Sequence, residues 1–444
     1  MRLAITNANV ITGDGKTILE DCSVIVEDEL IVEIPMVQYA YYDPADRIID
    51  AHGNLVIPGI ITHHQHGVTF SPLFATGNPP LPEARILANL DRLLCQGVTT
   101  VQSQDGLGTM DEVHRADKVH PINIKTGTAH TPKNLLLADS PMFRFGGIQK
   151  KHWLTTVDEM VQLGASCIGE VGTGIDAHYA DTILLPMAIK VRTGHTISPV
   201  EARPLHQLGS KGRSDEVEQR LKELHLADSL SIAGFSEVLE QVMQWSNLAR
   251  EAAQEGIEAG KRLNMPVVMH NSPETEPLVL EAARSLGNKL IAAHCNFRFD
   301  AEGAVAQASR LRQLGAHLDI HTGDMFGVRF FVQSPDVTYA LFSNGLVDMI
   351  STDYIGGYWD PILLTLERVV RAGHVSLPKA IATATRNVAR AFPRLAPNRG
   401  LVESGKVADL VIVNREQIGR VEAVVIGGKV VVERAEDPGL HIVY

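Results

Sequence analysis

From residue 56 to residue 353 the chain alternates short apolar runs with amphipathic stretches, and this alternation narrows its possible folds more than any other feature. The apolar runs lie at 56–66, 98–103, 122–126, 165–170, 266–270, 290–294, 316–321 and 347–353. Most of the stretches between them carry helical spacing. In 81–96, Ile86, Leu87, Leu90, Leu93 and Leu94 form one stripe, and Gly97 stops it. Strands that alternate with helices pair in parallel, since each crossover brings the chain back in the same direction. Eight such units predict an α/β fold, a (β/α)8 barrel of the TIM type.

One connection is out of proportion. About 100 residues separate Glu170 from His270, far more than such a unit needs. Residues 176–245 therefore read as an insertion, helical around 214–226 and 235–245. It emerges on the C-terminal side of a strand, where a lid, a substrate-selecting cap, an oligomer contact or a plain surface elaboration would all fit. Its basic residues Lys190, Arg192, Arg203, Lys211 and Arg213 offer contacts to a carboxylate, or simply a solvated face.

The two ends of the chain have a different texture. Strand-like runs near 3–10, 23–26, 30–34 and 48–54 fill residues 1–55, and others at 407–413, 421–426 and 429–432 fill 396–444. Residues 1–55 are too few to build a convincing core of their own. The two ends are expected to pair into one small β-sandwich domain beside a barrel spanning 56–395.

In such a barrel the C-terminal ends of the strands converge on one site. Those ends carry His64 and His66, Glu170, His270, His294 and Asp353. His64 and His66 are two apart on a strand and so share a face. A lone His-x-His pair is as readily a pair of core histidines. Four imidazoles and two carboxylates at strand ends are hard to explain as packing, because buried polar groups are costly unless paired or ligated. Together they suit two divalent metal ions, zinc foremost, with iron or manganese as alternatives. Lys125, His130 and His321 lie near other strand ends and are candidate substrate contacts. His63 and His317 read as structural or exposed, and Cys295 as core.

Composition excludes other classes. Charged residues are 21% and hydrophobic ones 45% of 444 residues, as in a globular enzyme, and the net charge of −12 with no basic block argues against nucleic acid. No run is long enough to span a membrane, and no signal-peptide pattern opens the chain. Cys22, Cys95, Cys167 and Cys295 are scattered without metal-binding or disulfide spacing. These features lead us to expect a cytoplasmic protein acting on a small molecule.

The run from Pro58 to His66, a Pro-Gly followed by apolar residues and His-x-His, resembles the opening motif of the amidohydrolase superfamily. Residues 399–411 (RGLVESGKVADLV) resemble that superfamily's return to its β-domain. Residues 168–174 (IGEVGTG), followed by Met269-His270 and another strand-end histidine, are most similar to enamidase-like cyclic amide hydrolases. The resemblance covers the chain apart from the insertion. It implies that His64, His66 and Asp353 hold one metal and His270 and His294 a second. Glu170 would bridge them, with a carboxylated Lys125 as the alternative. It further implies hydrolysis of a C–N bond, in an amide or lactam, by a metal-bound hydroxide, with Asp353 moving the proton. A homo-oligomer, dimer or tetramer, is usual in the family. Related deaminases, with one metal and an acid after strand 5 (Glu274 or Glu276 here), are the alternative, and a non-catalytic scaffold is the remote one. One departure stands out: Thr62 occupies the place where the family usually has Asp.

Overall fold

The computed structural model describes residues 1–36, 45–140, 145–176, 179–323, 335–353, 361–434 and 439–444. Five strands open the chain: β1 (Arg2–Ile11), β2 (Ile18–Glu27), β3 (Leu30–Glu33), β4 (Arg47–Asp50) and β5 (Leu55–Pro58). Eight follow: β6 (Ile60–Gln65), β7 (Val98–Ser103), β8 (Asn123–Thr128), β9 (Cys167–Val171), β10 (Val267–His270), β11 (Leu290–Ala293), β12 (His317–His321) and β13 (Met349–Ser351). Four close it: β14 (Leu410–Val413), β15 (Val421–Ile426), β16 (Lys429–Arg434) and β17 (Leu440–Ile442).

Strands β6 to β13 form one parallel eight-stranded sheet in sequence order. Its two edges meet where the Asp353 amide donates to the His64 carbonyl at 2.9 Å and Gln65 bridges Asp353 in parallel. The barrel expected from the strand–helix alternation is thus present, and its closure sets the chain's last strand-end acid beside its first strand-end histidine. Barrel closure needs strands buried on both faces, and β6, β7 and β9 to β11 are buried along their whole length.

The terminal strands form a second sheet of nine strands, ordered β17-β16-β15-β14-β5-β1-β2-β3 with β4 on β1. It is one continuous hydrogen-bonded sheet, and its β3 end curls back to the segment just ahead of β14, where Leu30 bridges Val407. Leu3, Ile5, Val24, Val26, Leu410 and Val425 share the core inside that curl. Strand β5 pairs with β1 and β14, so a boundary drawn between residues 55 and 56 falls within this sheet. The chain crosses to the barrel at Gly59, where a Cβ would sit 2.1 Å from the Thr99 hydroxyl oxygen. Only glycine fits that close approach.

Between β9 and β10 lie a π-helical turn (Ala180–Leu184) and helices Leu185–Thr193, Pro199–Ser210 and Ser214–Glu223, then one helix of 32 residues, Ile232–Leu263. Sequence reading stops this helix at residue 245, just before the polar pair Ser246-Asn247. Its buried stripe instead runs through Val242, Trp245, Ala249, Ala252 and Gly256, leaving Asn247 exposed on the outer face. Tertiary packing along one stripe outweighs the weak helix preference of two polar residues. Among the described residues no helix is long and apolar enough to cross a membrane.

Candidate metal centre

The six strand-end residues converge. His64, His66 and Asp353 place one ligand atom each within 4.8 Å of one another, and so do Glu170, His270 and His294. Glu170, on β9, stands between the two groups and divides its oxygens. Its Oε1 lies 3.1 Å from His270 Nδ1 and 3.2 Å from His294 Nε2, while Oε2 lies 3.5 Å from His64 Nε2 and 4.0 Å from His66 Nε2. Asp353 Oδ1 is 3.6 Å from His64 Nε2 and 3.7 Å from His66 Nε2.

Buried carboxylates and imidazoles control each other's protonation here. Burial alone would lower the His64 pKa, but the Asp353 and Glu170 carboxylates outweigh it and push it up to about 9. Burial likewise works against the charged form of His270, yet hydrogen bonds to Asp176 and Glu170 raise it to about 10. Glu170 is held well below the usual carboxylate range, because His64, His270 and His294 overcome the burial that would raise it. Asp353 is lowered in the same way by the imidazoles around it. Two buried acids are therefore ionised and need a balancing positive charge, which protons on His64 and His270 or a bound cation would supply. Buried ring nitrogens without hydrogen-bond partners, His64 Nδ1 and Nε2 and His294 Nδ1, point the same way. Imidazole and carboxylate donors at this spacing fit divalent ions of the zinc, iron or manganese kind.

Three more acids hold the imidazoles in place, and strand-end reading passed over all of them. Asp105, two residues past β7, sits 3.0 Å from His66 Nδ1 and also accepts from the Gly67 and Phe74 amides and the Ser103 hydroxyl. Asp176 lies 3.4 Å from His270 Nε2 and is ion-paired with Arg298, which also contacts Glu274. Asp319, inside β12, accepts the His294 amide at 2.9 Å and lies 3.1 Å from His63 Nε2. Carboxylates behind ligating histidines fix ring orientation and tautomer. The available signal was weak, since Asp105 and Asp176 lie in loops and Asp319 reads as a core-strand residue. Thr62 does not replace the missing acid: it ties β6 to β13, its hydroxyl 3.2 Å from that of Thr352.

The remaining candidates lie elsewhere. His321 is fully buried behind Asp353, its Nδ1 3.9 Å from Asp353 Oδ2, and burial lowers its pKa to about 4, leaving a neutral ring. His130 is buried after β8 with Nδ1 3.1 Å from the Thr128 hydroxyl, and it borders a separate groove with Trp153 and Leu136. Lys125 is half-buried in mid-β8 and belongs neither to the two ligand groups nor to the cavity lining. Placement in mid-strand, not at the strand end, explains why Lys125 misses the cavity. His63 is buried against Phe392, with ring centres 5.2 Å apart, and Cys295 is fully buried, both structural placements. A cavity of about 200 Å³ opens over the centre, bordered by Phe74, Leu137, Tyr179, Ile183, Ala249 and Phe297 beside the ligating groups.

Comparison with known proteins gives a consistent picture. Residues 250–431 match the amidohydrolase family. A stretch of 154 residues is 27% identical to the imidazolonepropionase of Haloarcula marismortui, spanning 25% of this chain and only 37% of that relative's length. A D-aminoacylase structure superposes with a TM-score of 0.59 at 16% identity, over 99% of this chain and 97% of that one. The β-aspartyl dipeptidase of Fervidobacterium islandicum AW-1 gives 0.58 at 16% identity over the whole of both chains. At these identities the structural likeness is one of fold.

Proposed function

We propose that this chain is a metal-dependent hydrolase of the amidohydrolase superfamily that opens C–N bonds in amides, cyclic amides foremost, as enamidase-like members do. The observation that carries this reading is Glu170, with one oxygen turned to His270 and His294 and the other to His64 and His66. That division is what a carboxylate bridging two ions requires. In this reading His64, His66 and Asp353 hold one ion, His270 and His294 the other, and Glu170 both. The family match over 250–431 and the glutamate on β9 support it, and the D-aminoacylase of similar fold is itself described by a binuclear metal centre.

A pair of divalent ions held there would polarise the amide carbonyl and make hydroxide available near neutral pH. The protein's own residues supply the rest. Asp353, ionised and beside His64 and His66, accepts the proton of the attacking water and hands it to the leaving nitrogen. Neutral His321 stands behind Asp353, its Nδ1 3.9 Å from Asp353 Oδ2. Asp105 and Asp176 hold His66 and His270 in orientation throughout.

Elemental analysis of the wild-type chain and of Glu170→Ala, beside turnover of a lactam panel, tests the reading. We expect two metal equivalents per chain, falling to one or none in the variant, with lactam opening lost. One equivalent unchanged by the substitution would overturn the bridged pair and favour a mononuclear deaminase.

A further inference from the structure

The insertion does more than decorate the barrel, because its first turn forms one side of the cavity. Tyr179, Thr182 and Ile183 border the cavity together with Glu170, His270, His294 and Asp353, and Ala249 of the long helix borders it as well. Residues three and four apart share a face of a helical turn, which explains how these three point the same way. Asp181, the one charged residue among them, takes the other side. It lies 2.6 Å from His206 and 3.4 Å from Arg203, both on helix Pro199–Ser210. The turn thus keeps its charge away from the cavity.

This wall is braced from behind. The Tyr179 ring stacks on Trp245, with centres 5.5 Å apart and planes 9° from parallel, and the Trp245 indole donates to the Leu137 carbonyl at 3.3 Å. Gly174 allows that approach, for a Cβ there would lie 2.7 Å from the Trp245 ring. In the same cavity, Phe74 packs edge-on to His66 and Phe297 to His270 and His294. Among the described residues that border the cavity none is Lys or Arg, and the charged ones are Glu170, Asp176 and Asp353. Arg298, which pairs with Asp176 and Glu274, is not among the residues bordering the cavity.

We infer that the insertion is the specificity element of the site, and that it selects an uncharged amide carrying an apolar, ring-sized group, held among Phe74, Phe297, Tyr179 and Ile183. Among the described residues of that wall no Lys or Arg would meet a carboxylate, and burying one unpaired costs far more than burying a ring. A cavity of about 200 Å³ suits a compact substrate of one or two rings. This inference rests on the amide-hydrolase reading for the word amide, and on the wall alone for the absence of charge.

The test is equilibrium binding to the metal-loaded full chain, by calorimetry, of the benzo-fused lactam dihydroquinolinone and of its ring carboxylate. We expect the neutral lactam to bind at least about tenfold more tightly. Ile183→Lys, placed at a position 37% exposed and so able to host a charge, should reverse or erase that preference. Equal or tighter binding of the carboxylate by the wild type, or no binding of either compound, would overturn the inference. So would a preference that Ile183→Lys leaves unchanged. Neutral-selective binding without hydrolysis would uphold the wall while defeating the hydrolase reading. Hydrolysis of amides without that selectivity would do the reverse.

Discussion

The floor of the cavity and its wall come from different parts of the chain and are held by different forces. On the floor, His66, His270 and His294 stand at strand ends, each backed by an acid: Asp105 and Asp176 at the rings, Asp319 at the backbone. In the wall, Ile183 belongs to a π-helical segment capped by Tyr179, whose support is a stacked tryptophan and a close-packed glycine. Floor side chains are oriented by ion pairs in a buried setting, where small displacements forfeit ligand geometry. Wall side chains are oriented by packing, which tolerates changes of shape and charge at its exposed rim. Chemistry and selectivity are therefore separable in this molecule, and substitutions in the two regions should fail in different ways.

The largest expected effect lies on the floor. Asp353→Asn should keep its metal yet lose turnover by about a thousandfold, since a positioned proton carrier contributes on the order of 10²–10⁴. Near-wild-type kcat in that variant would remove Asp353 from the proton path. Next is Asp105→Asn, which keeps the shape of the acid but removes the charge facing His66 Nδ1. Metal affinity, read by competition with a chelator, should weaken roughly 10–100-fold while binding of the neutral lactam scaffold by the wall stays the same. Parallel loss of both would mean that floor and wall are one unit.

A third effect, on stability rather than on the centre, concerns a histidine outside both regions. His130 is buried, and desolvation lowers its pKa from 6.5 to about 4. Between those values the unfolded chain binds a proton that the folded chain refuses. The stability this neutral ring permits is therefore present above pH 6.5 and lost as pH falls toward 4, by up to about 3 kcal/mol. Urea midpoints of wild type and His130→Gln at pH 7 and pH 4.5 measure it. The variant should show the shallower pH dependence, and identical slopes would mean that His130 takes up its proton without penalty.

Much of this arrangement was legible in the sequence. The alternation of strand and helix spacing from 56 to 353 required parallel pairing, and strand ends share one rim of a barrel, so His64, His66, Glu170, His270, His294 and Asp353 could be set together before any coordinates. Periodicity reports which residues share a face, and position along a strand reports which end they reach. Neither reports what approaches from a distant part of the chain. Asp105 and Asp176 lie in loops, whose course no repeat determines, and Asp319 meets His294 only through neighbouring strands. Lys125 and His130 looked eligible by their closeness to a strand end, yet their position on and just after β8 keeps both away from the cavity. The continuity of helix Ile232–Leu263 likewise depended on what lay beneath it. The sequence by itself determined the barrel, the paired terminal strands and the convergence of six strand-end histidines and acids, because these follow from local spacing and chain direction. Only the tertiary structure decided the division of Glu170's oxygens, the acids behind the imidazoles and the uncharged wall, because each depends on contacts between residues far apart in the chain.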